Sequence, residues 1–314
     1  MATEAKTESG SIKGASRAAI HTSGLTKYYG KKRGIENLDL EVREGEVFGF
    51  LGPNGAGKST TIRTLLDEIR PTAGAATILG LATHRDAVAI RRHIGYIPGD
   101  LALYPNLTGR DTLEYFANMR GGVDWSFVGE LAERLNSDLS RKVGDLSTGN
   151  RQKVGVIQAF MNRPELLIMD EPTSGLDPLV QREFQTMVRE VTAEGRTVFL
   201  SSHTLSEVQR IADRVGIIRD GFLITVESVA DLRSKAIRQV EFVLDSPADA
   251  AVFASVAGVR NVIANDKHVE MSFDGDMGEL LKAATDRYGV ADIKTSEADL
   301  EEIFLTYYKS DRED

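Results

Sequence analysis

The amino-acid sequence predicts an α/β core with a parallel sheet and an inserted helical subdomain, followed by a small C-terminal α+β module. Short apolar runs alternate with helical patterns through the first 225 residues, which is typical of strands buried on both faces by helices. Residues 105–163 show an almost purely helical pattern. After about residue 236, the apolar runs alternate with polar residues, as in partly exposed strands.

The core elements follow from these patterns. Buried strands are predicted at EVFGFLG (46–52), ELLIMDE (165–171), TVFLSS (197–202) and VGIIRDG (215–221). Apolar residues at three- and four-residue spacing predict helices at 59–69, 179–194 and 205–213.

The helical subdomain and the C-terminal module are predicted in the same way. In the subdomain, Thr108 caps a helix that runs through Arg120, residues 126–136 form a second, and Ser147 opens a third that runs through Met161. In the module, strands are predicted at 239–244 and 268–273, and helices at 247–257, 276–288 and 297–308. We therefore expect a tail at 1–20, a core domain at 21–236 with its helical subdomain at about 100–163, and the module at 237–314.

Composition narrows the class of protein. The chain has 314 residues, of which 41% are hydrophobic and 27% charged, an ordinary globular balance. It has no cysteine, which excludes disulfides and thiolate metal sites. Because no apolar run approaches the roughly 20 residues that span a bilayer, and the first twenty residues resemble no signal peptide, we expect a soluble, intracellular chain.

The acidic charge is confined to the C-terminal part. Residues 1–225 contain 28 basic and 28 acidic residues, whereas residues 226–314 contain 10 and 19, so the net charge of −9 belongs to the last 89 residues. An acidic surface repels the phosphates of nucleic acids, and we expect no nucleic-acid partner.

One motif predicts a phosphate-binding loop. The run GPNGAGKST matches G-x-x-x-x-G-K-[ST] between a predicted strand and a predicted helix, which makes the core a P-loop NTPase. Backbone N–H groups and the helix N-terminus would bind the phosphates, Lys58 the β- and γ-phosphates, and Ser59 a Mg²⁺ ion. The predicted nucleotide-binding residues are Gly52, Pro53, Asn54, Gly55, Ala56, Gly57, Lys58, Ser59 and Thr60.

Three further side chains lie at the carboxyl ends of predicted strands, where open α/β sheets bind ligands. Asp170 is placed to hold Mg²⁺, and Glu171 to orient or deprotonate the attacking water. His203 is either a γ-phosphate sensor or a structural histidine. Lys58, Glu171 and His203 are the predicted catalytic residues.

Together these motifs resemble the ATP-binding subunit of ABC transporters, across roughly residues 21–225. In that family, an aromatic matching Tyr29 stacks on adenine. The segment LSTGNRQK (146–153) lies where the family signature LSGGQ stands, SGLDP (174–178) matches the D-loop with Asp177, and His203 matches the switch histidine. The resemblance implies that ATP and Mg²⁺ are bound and that Ser147, Gly149 and Asp177 belong to the nucleotide site.

The residues of these motifs are similar to those of one branch of the family, the drug- and antibiotic-efflux ATPases of the daunorubicin-resistance type. In that branch a separate membrane-spanning permease holds the ATPase at the cytoplasmic face of the membrane. The signature implies a head-to-tail, ATP-dependent dimer of two copies, and the C-terminal module resembles the accessory domain of the branch.

Two positions depart from the family pattern. Gly99, followed by Asp100, stands where the family has the Q-loop glutamine, so we expect signalling to the permease through backbone movement of residues 98–103, either alone or together with the Asp100 side chain. In the signature, Thr148 and Asn150 replace a glycine and the glutamine, while Ser147 and Gly149 remain. Because these two residues remain, we expect the signature segment still to recognise the γ-phosphate.

The sequence also bears on three alternative functions. A soluble ABC-type ATPase acting on ribosomes or DNA usually carries two cassettes or a long coiled coil, but this sequence has one phosphate loop, and only 112 positions separate Lys58 from Asp170. A module that binds ATP without turnover would not need Glu171 and His203. An importer subunit remains possible within the family, although the motifs favour export.

Overall fold

The computed structural model describes residues 18–235 and 238–296, and the chain divides into two compact units between Val226 and Glu227. The strands that begin before that division are β1 (Ala18–Tyr29), β2 (Lys32–Arg43), β3 (Val47–Leu51), β4 (Ala73–Ile78), β5 (Leu81–Ala82), β6 (Ile94–Ile97), β7 (Leu166–Asp170), β8 (Thr197–Ser202), β9 (Arg214–Arg219) and β10 (Phe222–Ser228). The helices are α1 (Lys58–Leu65), α2 (Ala87–His93), α3 (Gly109–Met119), α4 (Trp125–Arg134), α5 (Thr148–Phe160), α6 (Pro178–Ala193) and α7 (Leu205–Ile211), with a 3₁₀ turn at Val143–Asp145.

The central sheet has the order β10-β9-β3-β8-β7-β6, and the pairs from β9 to β6 are parallel. Every residue of β3, β7 and β8 is buried, which explains why these strands appear in the sequence as continuous apolar runs. The predicted parallel core is confirmed. In this order β3, which precedes the phosphate loop, lies next to β8, and β8 lies next to β7, which ends in Asp170.

A second sheet, which the sequence analysis missed, has the order β2-β1-β4-β5 and antiparallel pairing. In β2, Leu38, Leu40 and Val42 are buried while the residues between them are exposed or half-buried. These buried residues belong to one hydrophobic core with residues of the central sheet, such as Phe48 and Phe50. This sheet carries the segment around Tyr29 towards the phosphate loop.

The helical subdomain is confirmed as three capped helices. Thr108 and Asp111 form a capping box at α3, and Asp124 caps α4. Arg134 at the end of α4 contacts the carboxylates of Glu183 (2.5 Å) and Glu190 (2.7 Å) on α6, so ion pairs tie the subdomain to the core.

The C-terminal unit begins with α8 (Val229–Lys235) and continues through β11 (Arg238–Leu244), α9 (Ala250–Ala254), β12 (Val259–Asn265), β13 (His268–Phe273), α10 (Met277–Thr285) and β14 (Val290–Ser296). Its antiparallel sheet has the order β12-β13-β11-β14, which is the split βαβ arrangement of ferredoxin-like modules. Phe242, Phe253 and Met271 lie in its core.

The structure adds β12 and β14 to the predicted strands of this module. Neither strand shows a clear alternating apolar pattern: in β12 the apolar residues Val262, Ile263 and Ala264 are adjacent, and β14 is exposed after Val290. The two helices predicted at 247–257 and 276–288 are present but shorter, and the helix predicted at 297–308 lies outside the described residues. Among the described helices, none combines the length and apolar character needed to cross a bilayer.

Candidate active site

The phosphate loop joins the end of β3 to the start of α1. Gly57 has a φ of +115°, which an L side chain rarely adopts, and a Cβ there would lie 2.8 Å from the carbonyl oxygen of Gly34. The loop is closed by a hydrogen bond from the Ala56 N–H to the Pro53 carbonyl (3.1 Å). This conformation brings the chain directly into α1, whose N-terminus carries the partial positive charge that favours phosphate.

Lys58 is folded back over this loop. Its side chain is only 6% exposed, and its Nζ donates to the carbonyls of Gly52 (2.6 Å) and Pro53 (3.2 Å). Nζ also lies 3.2 Å from Oε1 of Glu171. A buried ammonium is therefore held between the phosphate loop and the predicted general base.

Glu171 connects Lys58 to His203. It is the first residue after β7, and its Oε2 lies 2.8 Å from Nδ1 of His203, whose ring is 55% exposed. The three predicted catalytic residues thus form a continuous chain of polar contacts, with one end buried and the other open to solvent. Glu171 adopts a left-handed conformation, with φ of +49°, which is uncommon for a residue other than glycine.

Asp170 ends β7 and is almost fully buried, with 3% exposure. Its Oδ1 accepts a hydrogen bond from the Ser201 hydroxyl (2.5 Å). On the other side, a Cβ added to Gly99 would lie only 2.8 Å from Oδ2. Any side chain at position 99 would push against this carboxylate, which gives a steric reason for the glycine. Asp100 is exposed.

The structure distinguishes Tyr29 from the neighbouring Tyr28. The Tyr28 hydroxyl donates to Glu36 (2.8 Å), which raises the pKa of Tyr28. Tyr29 is 44% exposed, and a Cβ at Gly34 would lie 3.0 Å from both the Tyr29 ring and the Thr60 methyl group. The accessible ring thus lies beside the end of the phosphate loop, as adenine stacking would require.

The signature segment begins α5. Ser147 caps the helix by accepting a hydrogen bond from the Asn150 N–H (3.3 Å), which confirms the predicted helix start. A Cβ at Gly149 would lie 2.3 Å from the Gly175 carbonyl oxygen, so the first turn packs closely on the segment that follows Glu171. Because a serine hydroxyl that accepts one hydrogen bond still has its proton to donate, Ser147 keeps a donor for an anion.

Asp177 has a clear structural contact. Its carboxylate accepts hydrogen bonds from the N–H groups of Leu179 and Val180 (both 3.1 Å) and so caps α6. Its predicted place in a nucleotide site therefore comes in addition to a capping role.

The donor set suits Mg²⁺ bound together with phosphates. Ser59 offers an exposed hydroxyl, and Asp170 presents Oδ2 beside the space left open by Gly99. Within the described ranges, no group of three or more His, Cys, Asp or Glu side chains could hold a metal ion. Mg²⁺ is commonly held by one or two protein oxygens, water and substrate phosphates, so these two residues fit it.

The sequence analysis missed a groove of about 870 Å³ between the core and the helical subdomain. It is lined by apolar and basic side chains, among them Val88, Met119, Leu101, Arg91 and Arg92. Val88 is 69% exposed and Met119 is 70% exposed, so the rim of the groove presents apolar surface to solvent. In the sequence, the apolar run directly after Asp100 was the feature that could have indicated this groove.

Comparisons with known proteins identify the family of the chain. A model of the ABC transporter family matches residues 35–174. The bacitracin transport ATP-binding protein BcrA of Bacillus licheniformis is 38% identical over 236 residues, 74% of this chain and 77% of the relative. The linearmycin resistance ATP-binding protein LnrL of Bacillus subtilis (strain 168) is 30% identical over 301 residues, 91% of this chain and 97% of the relative.

A solved structure supports the fold. A bacterial ABC transporter cassette, determined as a dimer, superposes with a TM-score of 0.62 at 25% identity and covers 67% of this chain and 98% of that cassette. The extent of these matches shows the family without reference to any single motif.

Proposed function

The chain belongs to the ABC transporter family as an ATP-binding subunit, and from this we propose that it hydrolyses ATP to power export of an antibiotic or drug-like compound through a separate membrane-spanning subunit. The observation that carries the hydrolytic part is the contact chain from Lys58 through Glu171 to His203, next to the phosphate loop. The compound class is inferred from relatives whose names specify bacitracin and linearmycin.

The geometry suggests how phosphate binding releases the general base. Nucleotide phosphates would compete with Glu171 for the Lys58 ammonium, because both are anionic partners of one buried cation. Once free of Lys58, the Glu171 carboxylate can accept a proton from the attacking water. The water oxygen then bonds to the γ-phosphorus as the bond to the bridging oxygen breaks, which yields ADP and phosphate.

His203 and the metal ligands complete the site. His203 contacts the second oxygen of Glu171 through Nδ1, which fixes the orientation of that carboxylate. Ser59 and Asp170 would hold Mg²⁺, which neutralises charge on the phosphates when it is bound. The loop N–H groups and the N-terminus of α1 position the phosphate chain.

The signature segment is proposed to act on the nucleotide of a second copy. Ser147 retains a hydroxyl proton at the positive end of a 13-residue helix, which suits a γ-phosphate. We infer a head-to-tail dimer in which Gly52–Thr60 of one copy and Ser147–Gly149 of the other enclose ATP, with Asp177 at the same interface. The dimeric relative supports pairing of cassettes.

The groove is proposed to receive the membrane-spanning subunit, which would hold this chain at the cytoplasmic face of the membrane. Its exposed apolar rim needs a partner, and its lining includes Pro98 and residues 101–103, which flank Gly99 where the chain approaches Asp170. Movement at the metal carboxylate can thereby reach the groove through backbone alone. The proposal assigns ATP binding to residues 21–236, with the helical subdomain at about 100–163, and an accessory role to 237–314. The two compact units divide ten residues earlier than this assignment, between Val226 and Glu227.

Export is tested by producing the chain with its membrane-spanning subunit in a bacitracin-sensitive host. We expect increased resistance to bacitracin or linearmycin and accumulation of that compound inside inverted vesicles supplied with ATP. The same pair carrying Glu171→Gln should give neither. A complex that hydrolyses ATP yet moves none of these compounds in either direction would contradict the proposed drug export while leaving ATPase activity intact.

Adenine stacking makes a separate prediction. Stacking of a base on an aromatic ring contributes about 1–3 kcal/mol, so Tyr29→Ala should weaken ATP binding by an amount in or below that range. Tyr29→Trp should preserve binding, because it keeps an aromatic face. Titration with a fluorescent ATP analogue measures both. Tyr28→Ala is the matched control; if it alone weakens binding, the assignment is off by one residue.

A further inference from the structure

Ser201 is a fully buried hydroxyl next to both acidic residues of the site. It lies in β8, between β3 and β7, and the strand register places it opposite Phe50 on one side and Asp170 on the other. Its exposure is 0%. Because hydrogen-bonded strands flank it on both sides, its position is fixed by the sheet rather than by a loop.

The hydroxyl makes two hydrogen bonds of opposite polarity. It donates to Oδ1 of Asp170 (2.5 Å) and accepts from the N–H of Glu171 (3.1 Å). A serine hydroxyl has one proton and two lone pairs, so it can fill both roles at once. The bond to Oδ1 turns the other oxygen of Asp170 towards the space beside Gly99.

The second hydrogen bond acts on the backbone of Glu171. With φ of +49°, this residue holds a conformation that L-residues disfavour, and such a conformation persists only where its surroundings stabilise it. The Ser201 oxygen binds the N–H of this strained residue directly. The strained backbone in turn directs the Glu171 side chain between Lys58 and His203.

We propose that Ser201 is a positioning residue for ATP hydrolysis. It sets the orientation of the Asp170 carboxylate for Mg²⁺ and the backbone conformation that aims Glu171 at the attacking water. This inference rests on the proposed ATPase function and requires no contact between Ser201 and the nucleotide.

The test is Ser201→Ala in the full-length chain. We expect kcat to fall about 10- to 100-fold, because a hydrogen bond to a charged group is lost and a buried amide is left without its partner. KM for ATP should stay within about threefold, because the phosphate loop is untouched, and half-maximal activity should need more Mg²⁺. Ser201→Thr keeps the hydroxyl and should restore most of kcat and the Mg²⁺ dependence.

Ser202→Ala is the matched control. Ser202 is the next residue and is equally buried, but its hydroxyl contacts Thr204 and Glu207. It should leave kcat and Mg²⁺ dependence within about threefold of wild type, and thermal unfolding of both variants is measured alongside.

The outcomes separate a positioning role from a structural one. Unchanged kcat and Mg²⁺ dependence in Ser201→Ala, equal losses in the two alanine variants, or unfolding of Ser201→Ala alone would each overturn the proposal. A wild-type chain that binds ATP but does not hydrolyse it would instead overturn the proposed function, and the Ser201 role with it.

Discussion

Glu171→Gln is expected to bind ATP at least as tightly as the wild-type chain and to hydrolyse it about 10²- to 10⁴-fold more slowly. The amide has nearly the shape of the carboxylate, whose two oxygens lie 3.2 Å from Lys58 Nζ and 2.8 Å from His203 Nδ1. Its oxygen can still accept from Lys58, while its NH2 group can donate to an unprotonated Nδ1 of His203. It cannot take a proton from water. Since a neutral amide also competes less well for the Lys58 ammonium, phosphates should gain that cation more readily.

ATP that Glu171→Gln binds but does not hydrolyse should hold two copies of the chain together as a dimer. If hydrolysis releases the two copies from each other, Glu171→Gln with ATP and Mg²⁺ should elute as a dimer in size-exclusion chromatography, whereas the wild type should return to monomer as ATP is consumed. Turnover is measured by phosphate release.

Glu207→Gln is the matched control for this variant. Its carboxylate accepts from Thr173 (2.9 Å) and Ser202 (3.2 Å), so the change is the same carboxylate-to-amide replacement in a neighbouring segment. Turnover of the control should remain within about threefold of wild type. A Glu171→Gln chain that kept more than about a tenth of wild-type turnover would show that another group accepts the proton.

The parallel core could be predicted from the sequence because strands buried on both faces must be apolar throughout, as β3, β7 and β8 are. The antiparallel sheet of β1, β2, β4 and β5 was not predicted. Its strands combine buried positions such as Leu38 and Leu40 with many charged residues, so the apolar signal is weaker. The exposed β14 offers even less apolar signal.

The residues of the site could be predicted from motifs, but their arrangement depends on strand order. Lys58 follows β3, Glu171 follows β7 and His203 follows β8, and the three meet because these strands are neighbours in the order β3-β8-β7. No local pattern specifies that order.

Contacts that depend on strand register could not be predicted from a sequence motif either. The close approach of Gly99 to Asp170 and the two hydrogen bonds of Ser201 appear only when β6, β7 and β8 are aligned. In the sequence Gly99 is only a missing glutamine, whereas in the structure a side chain there would displace the carboxylate of Asp170. The one available signal for Ser201 was its place in the serine pair that precedes His203.

Lys58→Ala should lose ATP binding itself rather than turnover alone. The ammonium is buried against the phosphate loop, where its charge is poorly screened by solvent, and charge-assisted hydrogen bonds contribute about 1.5–3 kcal/mol each. Its removal should weaken ATP affinity by roughly ten- to a hundredfold or more. It should also leave Oε1 of Glu171 without its neighbouring cation, so an anionic ligand would meet an unneutralised carboxylate.

Lys153→Ala is the matched control, because it removes a buried lysine side chain that does not contact the phosphate loop. Lys153 is 7% exposed, close to the 6% of Lys58, but its Nζ donates to the Asn136 carbonyl (3.2 Å) in the helical subdomain. Equilibrium binding of a fluorescent ATP analogue, with thermal unfolding of each variant, should show the loss of affinity only for Lys58→Ala. Because repulsion between Glu171 and the phosphates would then persist, the double variant Lys58→Ala/Glu171→Gln should recover part of the affinity. Equal weakening in both lysine variants, or no recovery in the double variant, would mean that Lys58 does not act by holding the phosphates against Glu171.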